Sequence, residues 1–380
     1  MTLALYVHWP YCISKCPYCD FNSHVGDTTD QDKWRKAYQR ELEHYAALLP
    51  TRTVTSIFFG GGTPSLMEAR TVESVVQNIS RLWRVDADVE ITLEANPSSV
   101  EAGKFSDFRK AGVNRLSLGV QSLDTEALKF LGRAHNAEEA RRAIHIAANT
   151  FPRFSFDLIY ARQNQTVEMW RAELQEALML AGDHLSLYQL TIEPHTQFDT
   201  RTRRGEILTA SDDHAVTMFE TTQEIMDAAG LPAYEISNHA RPGQESRHNL
   251  TYWHYEDYIG IGPGAHGRYH DGAARHATEN HRAPDIWLQQ TGIEGHGLKR
   301  SDKIEADTAR REAIMMGLRL TQGIDKDKWR EKFITTLSDF LPADRLTRLI
   351  QENYVTENET TLRATRAGLQ RLNAVLGYLE

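Results

Sequence analysis

The sequence predicts an α/β fold: a partial, open barrel of six strand-then-helix units, (β/α)6, followed by a small, mainly helical C-terminal domain. Three observations predict it. From residue 3 to about residue 195, apolar strand-like runs alternate with amphipathic stretches, the order expected of a parallel sheet covered by helices. The count is six where a complete barrel of this class needs eight, so the sheet is expected to stay open. The unusual motifs all follow strands or lie near their ends, which would gather them at the mouth where C-terminal strand ends converge.

The six strands are read as Leu3–His8, Val54–Phe59, Val89–Glu94, Arg115–Gly119, Phe154–Tyr160 and His184–Ile192. Asp32–Leu49 sets Trp34, Tyr38, Leu42, Tyr45 and Leu49 on one face at helical spacing. Ala69–Trp83 does the same with Val72, Val76, Ile79 and Trp83, and Val167–Ala181 is a third helix, with Gly182 as a left-handed cap. Later, Ser211–Ala229 reads as a helix capped by Gly230 and Tyr234-Glu235-Ile236 as a short strand. Gly260-Ile261-Gly262-Pro263-Gly264-Ala265-His266-Gly267 reads as a turn or loop. Helices are expected at Arg310–Leu320, Lys326–Phe333 and Arg363–Leu379, with a small hairpin of Tyr354-Val355 and Thr360-Thr361-Leu362 before the last, a winged-helix-like module. The resulting division is 1–195 for the partial barrel, 196–300 for its extension and 301–380 for the C-terminal domain.

A chain of 380 residues, 41% hydrophobic, has enough apolar material for a large core. Its net charge of −9 without long Lys/Arg runs argues against a nucleic-acid partner. No segment approaches 18 apolar residues and the apolar start has no basic region ahead of it, so a soluble, cytoplasmic protein with no integral membrane segment is expected.

All three cysteines, Cys12, Cys16 and Cys19, stand within eight positions directly after the first strand, spaced Cys-x3-Cys-x2-Cys. Three clustered thiolates can each hold one iron of a [4Fe-4S] cluster and leave the fourth iron open. A structural zinc site would have to borrow His8 or His24 as its fourth ligand, and a disulfide would leave one thiol over. The triplet Gly60-Gly61-Gly62, continuing into Thr63-Pro64, allows close approach of backbone to a ligand without matching a dinucleotide or Walker pattern. Glu94, Gln121, Arg133 and Asp157 lie at or near strand ends; together they offer acceptors for ribose hydroxyls and a cation for a carboxylate, the needs of a zwitterionic nucleoside ligand.

Cys-x3-Cys-x2-Cys on the loop after a first strand resembles the signature of the radical S-adenosylmethionine (SAM) superfamily. Tyr6-Val7-His8-Trp9-Pro10-Tyr11-Cys12 and Cys16-Pro17-Tyr18-Cys19-Asp20-Phe21 look like its oxygen-independent coproporphyrinogen oxidase family, and most resemble the HemW branch of heme chaperones. The resemblance implies a radical SAM barrel whose open iron is chelated by SAM, and an electron donor whose electron cleaves SAM to a 5′-deoxyadenosyl radical. It carries Gly61, Gly62, Thr63, Glu94, Gln121, Arg133 and Asp157 over as SAM contacts, with Tyr6 and Tyr18 as further ones.

His248-Asn249-Leu250-Thr251-Tyr252-Trp253 reads, from residue types alone, as a buried histidine in an aromatic core. The run also matches the His-Asn-x-x-Tyr-Trp motif of the HemW branch, which makes His248 the axial heme-ligand candidate among sixteen histidines, with His266 in reserve. The resemblance thus implies a protein that binds heme and delivers it to apoproteins such as respiratory enzymes. The rival expectation is an oxygen-independent coproporphyrinogen III oxidase, and a third is a radical SAM enzyme acting on an unrelated substrate. Against the oxidase stand Asp20-Phe21 where that branch carries a fourth cysteine, and a start only two residues before the first strand. Ala161-Arg162-Gln163-Asn164 also departs from the Gly-Leu-Pro-Gly found in many relatives.

Overall fold

A computed structural model describes residues 1–26 and 30–379. Alternating apolar positions build a run of six parallel strands: β1 Thr2–Trp9, β2 Thr53–Gly61, β3 Arg84–Ala95, β4 Arg115–Gln121, β5 Arg153–Tyr160 and β6 His184–Gln189. Each pairs with the next in parallel. The sheet continues beyond this run on both sides. At one edge β7, Asn238–Ala240, pairs antiparallel with β6; at the other β8, Tyr258–Ile261, pairs in parallel with β1 and is followed by β9 His266–His270, β10 Arg275–Asn280 and β11 Leu298–Lys303. The order is β11-β10-β9-β8-β1-β2-β3-β4-β5-β6-β7, an open sheet of eleven strands.

Because side chains alternate across a strand, one face carries Leu5, Val7, Ile57, Phe59, Leu93, Leu116, Leu118, Phe156, Leu158 and Leu185 into the main core. The helices α1 Gln31–Leu48, α2 Ala69–Leu82, α3 Phe105–Lys110, α4 Ala137–Thr150, α5 Val167–Leu180 and α6 Asp212–Ala228 supply residues to that core. On α1 the expected face of Trp34, Tyr38, Leu42 and Tyr45 is buried, each such side chain contributing about 1.5–3 kcal/mol, and the Asp30 side chain caps the first turn through Lys33 N–H at 3.0 Å. By the same alternation the other face carries the polar groups Tyr6, Ser56, Glu90, Glu94, Ser117, Asp157 and Ser186, with Phe58 and Ile159 among them.

Several expectations are corrected here. The sixth strand stops at Gln189, and Tyr234–Ile236 forms bends ahead of β7 rather than a strand. Gly260-Ile261 and His266-Gly267 end and begin strands, leaving only 262–265 as turn. α5 ends at Leu180 with Ala181 extended, and Gly182 is not left-handed. The segment Arg363–Leu379 splits into the end of a strand and two helices.

Two further helices, α7 Arg247–Trp253 and α8 Pro284–Glu294, attach the extension, and α8 packs on α1. The tie between them is Glu41 of α1, fully buried and accepting from Gly262 N–H at 2.8 Å, Gly297 N–H at 2.9 Å, Asn280 Nδ2 at 3.0 Å and Trp287 Nε1 at 3.1 Å. Burial pushes its carboxyl up to about 7 against those donors.

The C-terminal region has its own core, in which Ala313, Leu318, Trp329, Leu346, Val355, Leu362 and Leu372 pack with Tyr255. It is built from α9 Ala306–Gly317, α10 Lys326–Phe333, α11 Ala343–Gln351, α12 Leu372–Leu379 and a three-stranded antiparallel sheet of β12 Ile324–Asp325, β13 Val355–Glu357 and β14 Thr361–Ala364. No helix of the described residues is long and apolar enough to cross a membrane.

Candidate cofactor site at the barrel mouth

A cavity of about 550 Å³ opens at the C-terminal ends of β2 to β6. Its wall brings together Cys12, Cys16, Cys19, Tyr18, Gly61, Gly62, Thr63, Glu94, Gln121, Arg133 and Asp157, residues up to 145 positions apart in sequence (Cys12 to Asp157). Tyr6 does not reach it. It lies one layer below, its OH 3.0 Å from His8 Nδ1, while His8 Nε2 is 2.9 Å from the carbonyl of Asn22. That carbonyl can only accept, so Nε2 carries the proton and Nδ1 accepts from Tyr6. The pair props the far end of the cysteine loop.

The loop is pinched at its base by a two-residue parallel ladder, Tyr11-Cys12 with His24-Val25, and Cys19 N–H bonds Cys16 carbonyl at 3.1 Å across a tight turn. All three thiols are free and half-buried. The glycines hold this loop: Gly62 N–H and Thr63 N–H donate to the carbonyls of Trp9 at 2.7 Å and Tyr11 at 2.8 Å. A Cβ on Gly62 would lie 2.6 Å from the Tyr11 carbonyl oxygen, and one on Gly61, at φ +113°, would lie 2.6 Å from His8. Their lack of side chains therefore serves the crossing of two chain segments as well as the cavity.

The electrostatics of the wall are uneven. Glu94 and Asp157 lie deep in the fold yet line the cavity. Burial, reinforced by Asp157, pushes Glu94 up to about 8; burial raises Asp157 to about 6, with the Ser186 hydroxyl and nearby arginines opposing. Gly61 N–H donates to Glu94 at 3.3 Å. Arg133 Nη1 donates to Cys16 Sγ at 3.1 Å and approaches the Tyr18 OH at 3.5 Å, while its Nη2 donates to the carbonyl of Gly119 at 2.9 Å. Gln121 sits at φ +71°, a left-handed conformation for a residue with a Cβ. Ala161 and Asn164, the first and last residues of the Ala161-Arg162-Gln163-Asn164 loop, are also left-handed, at φ 60° and 61°.

Soft sulfur donors suit iron–sulfur or zinc chemistry. Among the described residues no three His, Cys, Asp or Glu side chains converge enough to hold a single ion. Thiols spread around a cavity fit a cluster better, since each binds a different iron, and the wall beside them offers the glycines, carboxylates and cation that a nucleoside with an amino-acid tail requires.

The sequence reading places Glu94-Ala95-Asn96-Pro97 at the mouth but assigns no role to Asn96 or Glu101. Asn96 Oδ1 accepts from Arg133 Nη2 at 2.6 Å, its Nδ2 donates to Thr63 Oγ1 at 3.2 Å, and its N–H donates to buried Glu101 at 2.9 Å, which also bonds Ser65. The available signal was Asn96-Pro97, because a residue before proline is held extended and its side chain thereby aimed.

His248 stands elsewhere. It belongs to α7, which plugs the opposite end of the barrel, and is 1% exposed. Ser56 Oγ lies 2.9 Å from its Nδ1 and Tyr252 OH 2.7 Å from its Nε2, its ring stacks on Phe58 at 4.9 Å, and burial pushes its pKa down to about 3. With α7 seated, both ring nitrogens are engaged. Beneath it Glu90 accepts His248 N–H at 3.1 Å and pairs with Arg153 at 2.6 Å and Arg115 at 3.9 Å. The reserve histidine, His266, is exposed at the start of β9.

Comparison with known proteins follows the same geography. The radical SAM superfamily matches residues 6–177, and the HemN C-terminal domain matches residues 304–371. "Heme chaperone HemW" of Escherichia coli (strain K12) is 38% identical over 380 residues, 98% of this chain and 97% of the relative. The same-named protein of Bacillus subtilis is 31% identical over 376 residues, with 98% of each chain covered. The mitochondrial "Radical S-adenosyl methionine domain-containing protein 1" of Bos taurus is 38% identical over 380 residues, 98% of this chain and 86% of the relative. Among solved structures, coproporphyrinogen III oxidase (HemN) from Escherichia coli superimposes with a TM-score of 0.82 at 22% identity, covering 100% of this chain and 90% of that one, a likeness of fold.

Proposed function

The chain belongs to the radical SAM superfamily and, within its oxygen-independent coproporphyrinogen oxidase family, to the HemW branch, and on that premise we propose that it is a cytoplasmic heme chaperone. It binds a [4Fe-4S] cluster, SAM and heme, and passes heme to apoproteins such as respiratory enzymes. The observation that carries the cofactor half is the convergence of the three cysteines and eight further sequence-predicted residues on one cavity. The heme half is supported by end-to-end likeness to proteins named heme chaperones.

Cys12, Cys16 and Cys19 would hold the cluster, and Thr63, Glu94, Gln121, Arg133 and Asp157, with Gly61, Gly62 and Tyr18, would receive SAM. Tyr6 acts through His8 on the loop. When bound, the cluster and SAM supply a one-electron donor and an electron-accepting sulfonium. The protein's part is to orient and shield. Arg133 offers positive charge beside Cys16, the deep carboxyls give acceptors for hydroxyl or ammonium groups, and Tyr18 with its neighbour Phe198 closes the side wall.

For heme, His248 would hold the iron on the strength of its motif, with one structural condition. α7 must lift before either imidazole nitrogen can reach iron, so heme association is expected to be limited by that opening.

The test is anaerobic reconstitution with iron and sulfide, then heme titration followed at the Soret band. Wild type should carry about four irons and bind heme, and replacing the three cysteines by serine should remove the iron and sulfide. His248→Ala should alter the Soret spectrum; unchanged spectrum and affinity would take His248 out of the role. Incubation with SAM, reductant and coproporphyrinogen should leave the porphyrinogen intact, whereas protoporphyrinogen would replace this reading with the oxidase.

A further inference from the structure

We infer that Asn96 is a positioning residue that sets the reduction potential of the cluster through two of its three sulfur ligands. The inference rests on the cluster reading above and on a continuous run of hydrogen bonds from Cys12 to Cys16. Thr63 Oγ1 donates to Cys12 Sγ at 3.4 Å; Asn96 Nδ2 donates to Thr63 Oγ1 at 3.2 Å; Arg133 Nη2 donates to Asn96 Oδ1 at 2.6 Å; and Arg133 Nη1 donates to Cys16 Sγ at 3.1 Å. One carboxamide thus links the Thr63 and Arg133 side chains that donate to Cys12 and Cys16 sulfur.

The orientation of that amide follows from chemistry. A guanidinium can only donate, so the atom facing Arg133 must be the carbonyl oxygen, and the NH2 group is left for the threonine. Thr63 has one proton to give. With its oxygen receiving the Asn96 NH2, that proton is directed at Cys12, and the two bonds strengthen each other. Arg133 is held by the Asn96 oxygen and the Gly119 carbonyl on one nitrogen, which aims the other at Cys16.

Asn96 itself is fixed from behind. Pro97 keeps its backbone extended, and Glu101, 2% exposed, accepts its N–H at 2.9 Å while bonding Ser65 in the turn after Thr63. The loops after β2 and β3 are thereby locked together at the level of the sulfurs.

Hydrogen bonds to thiolate sulfur favour the cluster state with more electron density on sulfur, which is the reduced one, and so raise the potential. Removing Asn96 leaves Thr63 free to turn its hydroxyl away from Cys12 and lets the Arg133 fork rotate off Cys16. Both changes act in one direction: the cluster becomes harder to reduce.

The experiment is an EPR-monitored redox titration, with dithionite as reductant, of reconstituted wild type, Asn96→Ala, Thr63→Val, Thr63→Ser and the Asn96→Ala/Thr63→Val pair, with iron and sulfide measured for each. Asn96→Ala and Thr63→Val are expected at more negative midpoint potentials, the pair at less than the summed shift because they share the Cys12 arm, and Thr63→Ser at the wild-type value. A full cluster at unchanged potential in Asn96→Ala overturns this inference alone, and the same result in Thr63→Val overturns it even if Asn96→Ala cannot hold its cluster. Wild type without iron and sulfide overturns the cluster reading together with it.

Discussion

The two ends of the barrel use the same strands and the same inward polar face, but they finish their polar groups differently. At the floor, Glu90 is matched by Arg115, Arg153 and the N–H of His248, and the His248 ring by Ser56 and Tyr252. Although burial pushes Glu90 up, the two arginines hold its carboxyl below the usual range. At the mouth, Glu94 and Asp157 have no such pairing among the described residues and are raised, and a cavity stands where the floor has α7. A buried charge that is fully matched is costly to strip of its partner, and one left open toward a cavity is placed to receive a ligand.

Three substitutions would break or sharpen that contrast. The largest effect is expected from Glu90→Ala, which leaves Arg115 and Arg153 facing each other without their carboxylate; unfolding free energy should fall by about 3–5 kcal/mol in denaturant titration. A loss below about 1 kcal/mol would mean the floor is not the matched end.

Next comes Glu94→Gln. Glu94 takes up a proton more readily folded than unfolded, so its contribution to stability is complete below pH 4.5 and declines as pH rises toward about 8. Wild type without cofactors should therefore lose on the order of 2 kcal/mol relative to the variant across that window, allowing for water in the cavity. A wild type that gains on the variant as pH rises would reverse the assignment of the mouth.

The smallest is Tyr252→Phe. It removes the hydroxyl at His248 Nε2, lowering stability by about 1 kcal/mol, and if lifting of α7 limits heme association the on-rate in stopped flow should rise roughly fivefold. Weaker stability with an unaltered rate would confine His248 to the floor.

The six barrel strands were legible because each buries one face, and the period of two survives in residues such as Leu116, Leu118, Phe156 and Leu158. The extension was not. β11 reads Leu-Lys-Arg-Ser-Asp-Lys, a charged edge strand whose side chains face water and carry no alternation. β8 and β9 were hidden by Gly260 and Gly267, which fit strands here only because neighbouring backbone and Thr278 come too close for a Cβ. At the site, residue types and strand ends gathered the cysteines, Glu94 and Asp157 at one mouth, where they line one cavity. A role for Asn96 was not legible because its partners Thr63 and Arg133 come from 33 and 37 positions away.

Glu41 has a consequence for the order in which the chain assembles. Its donors at Gly262 and Gly297 lie 221 and 256 residues downstream, and β1, in the middle of the sheet, acquires its second neighbour only from Tyr258–Ile261. Contacts so remote close slowly, since the loop entropy must be met before they form. During synthesis the protein therefore passes through a stage in which a central strand is bare on one side and a carboxylate in the forming core has no donors. That unpaired edge invites mispairing with other chains, and the late arrival of the segment 258–297, α8 included, relieves both exposures together.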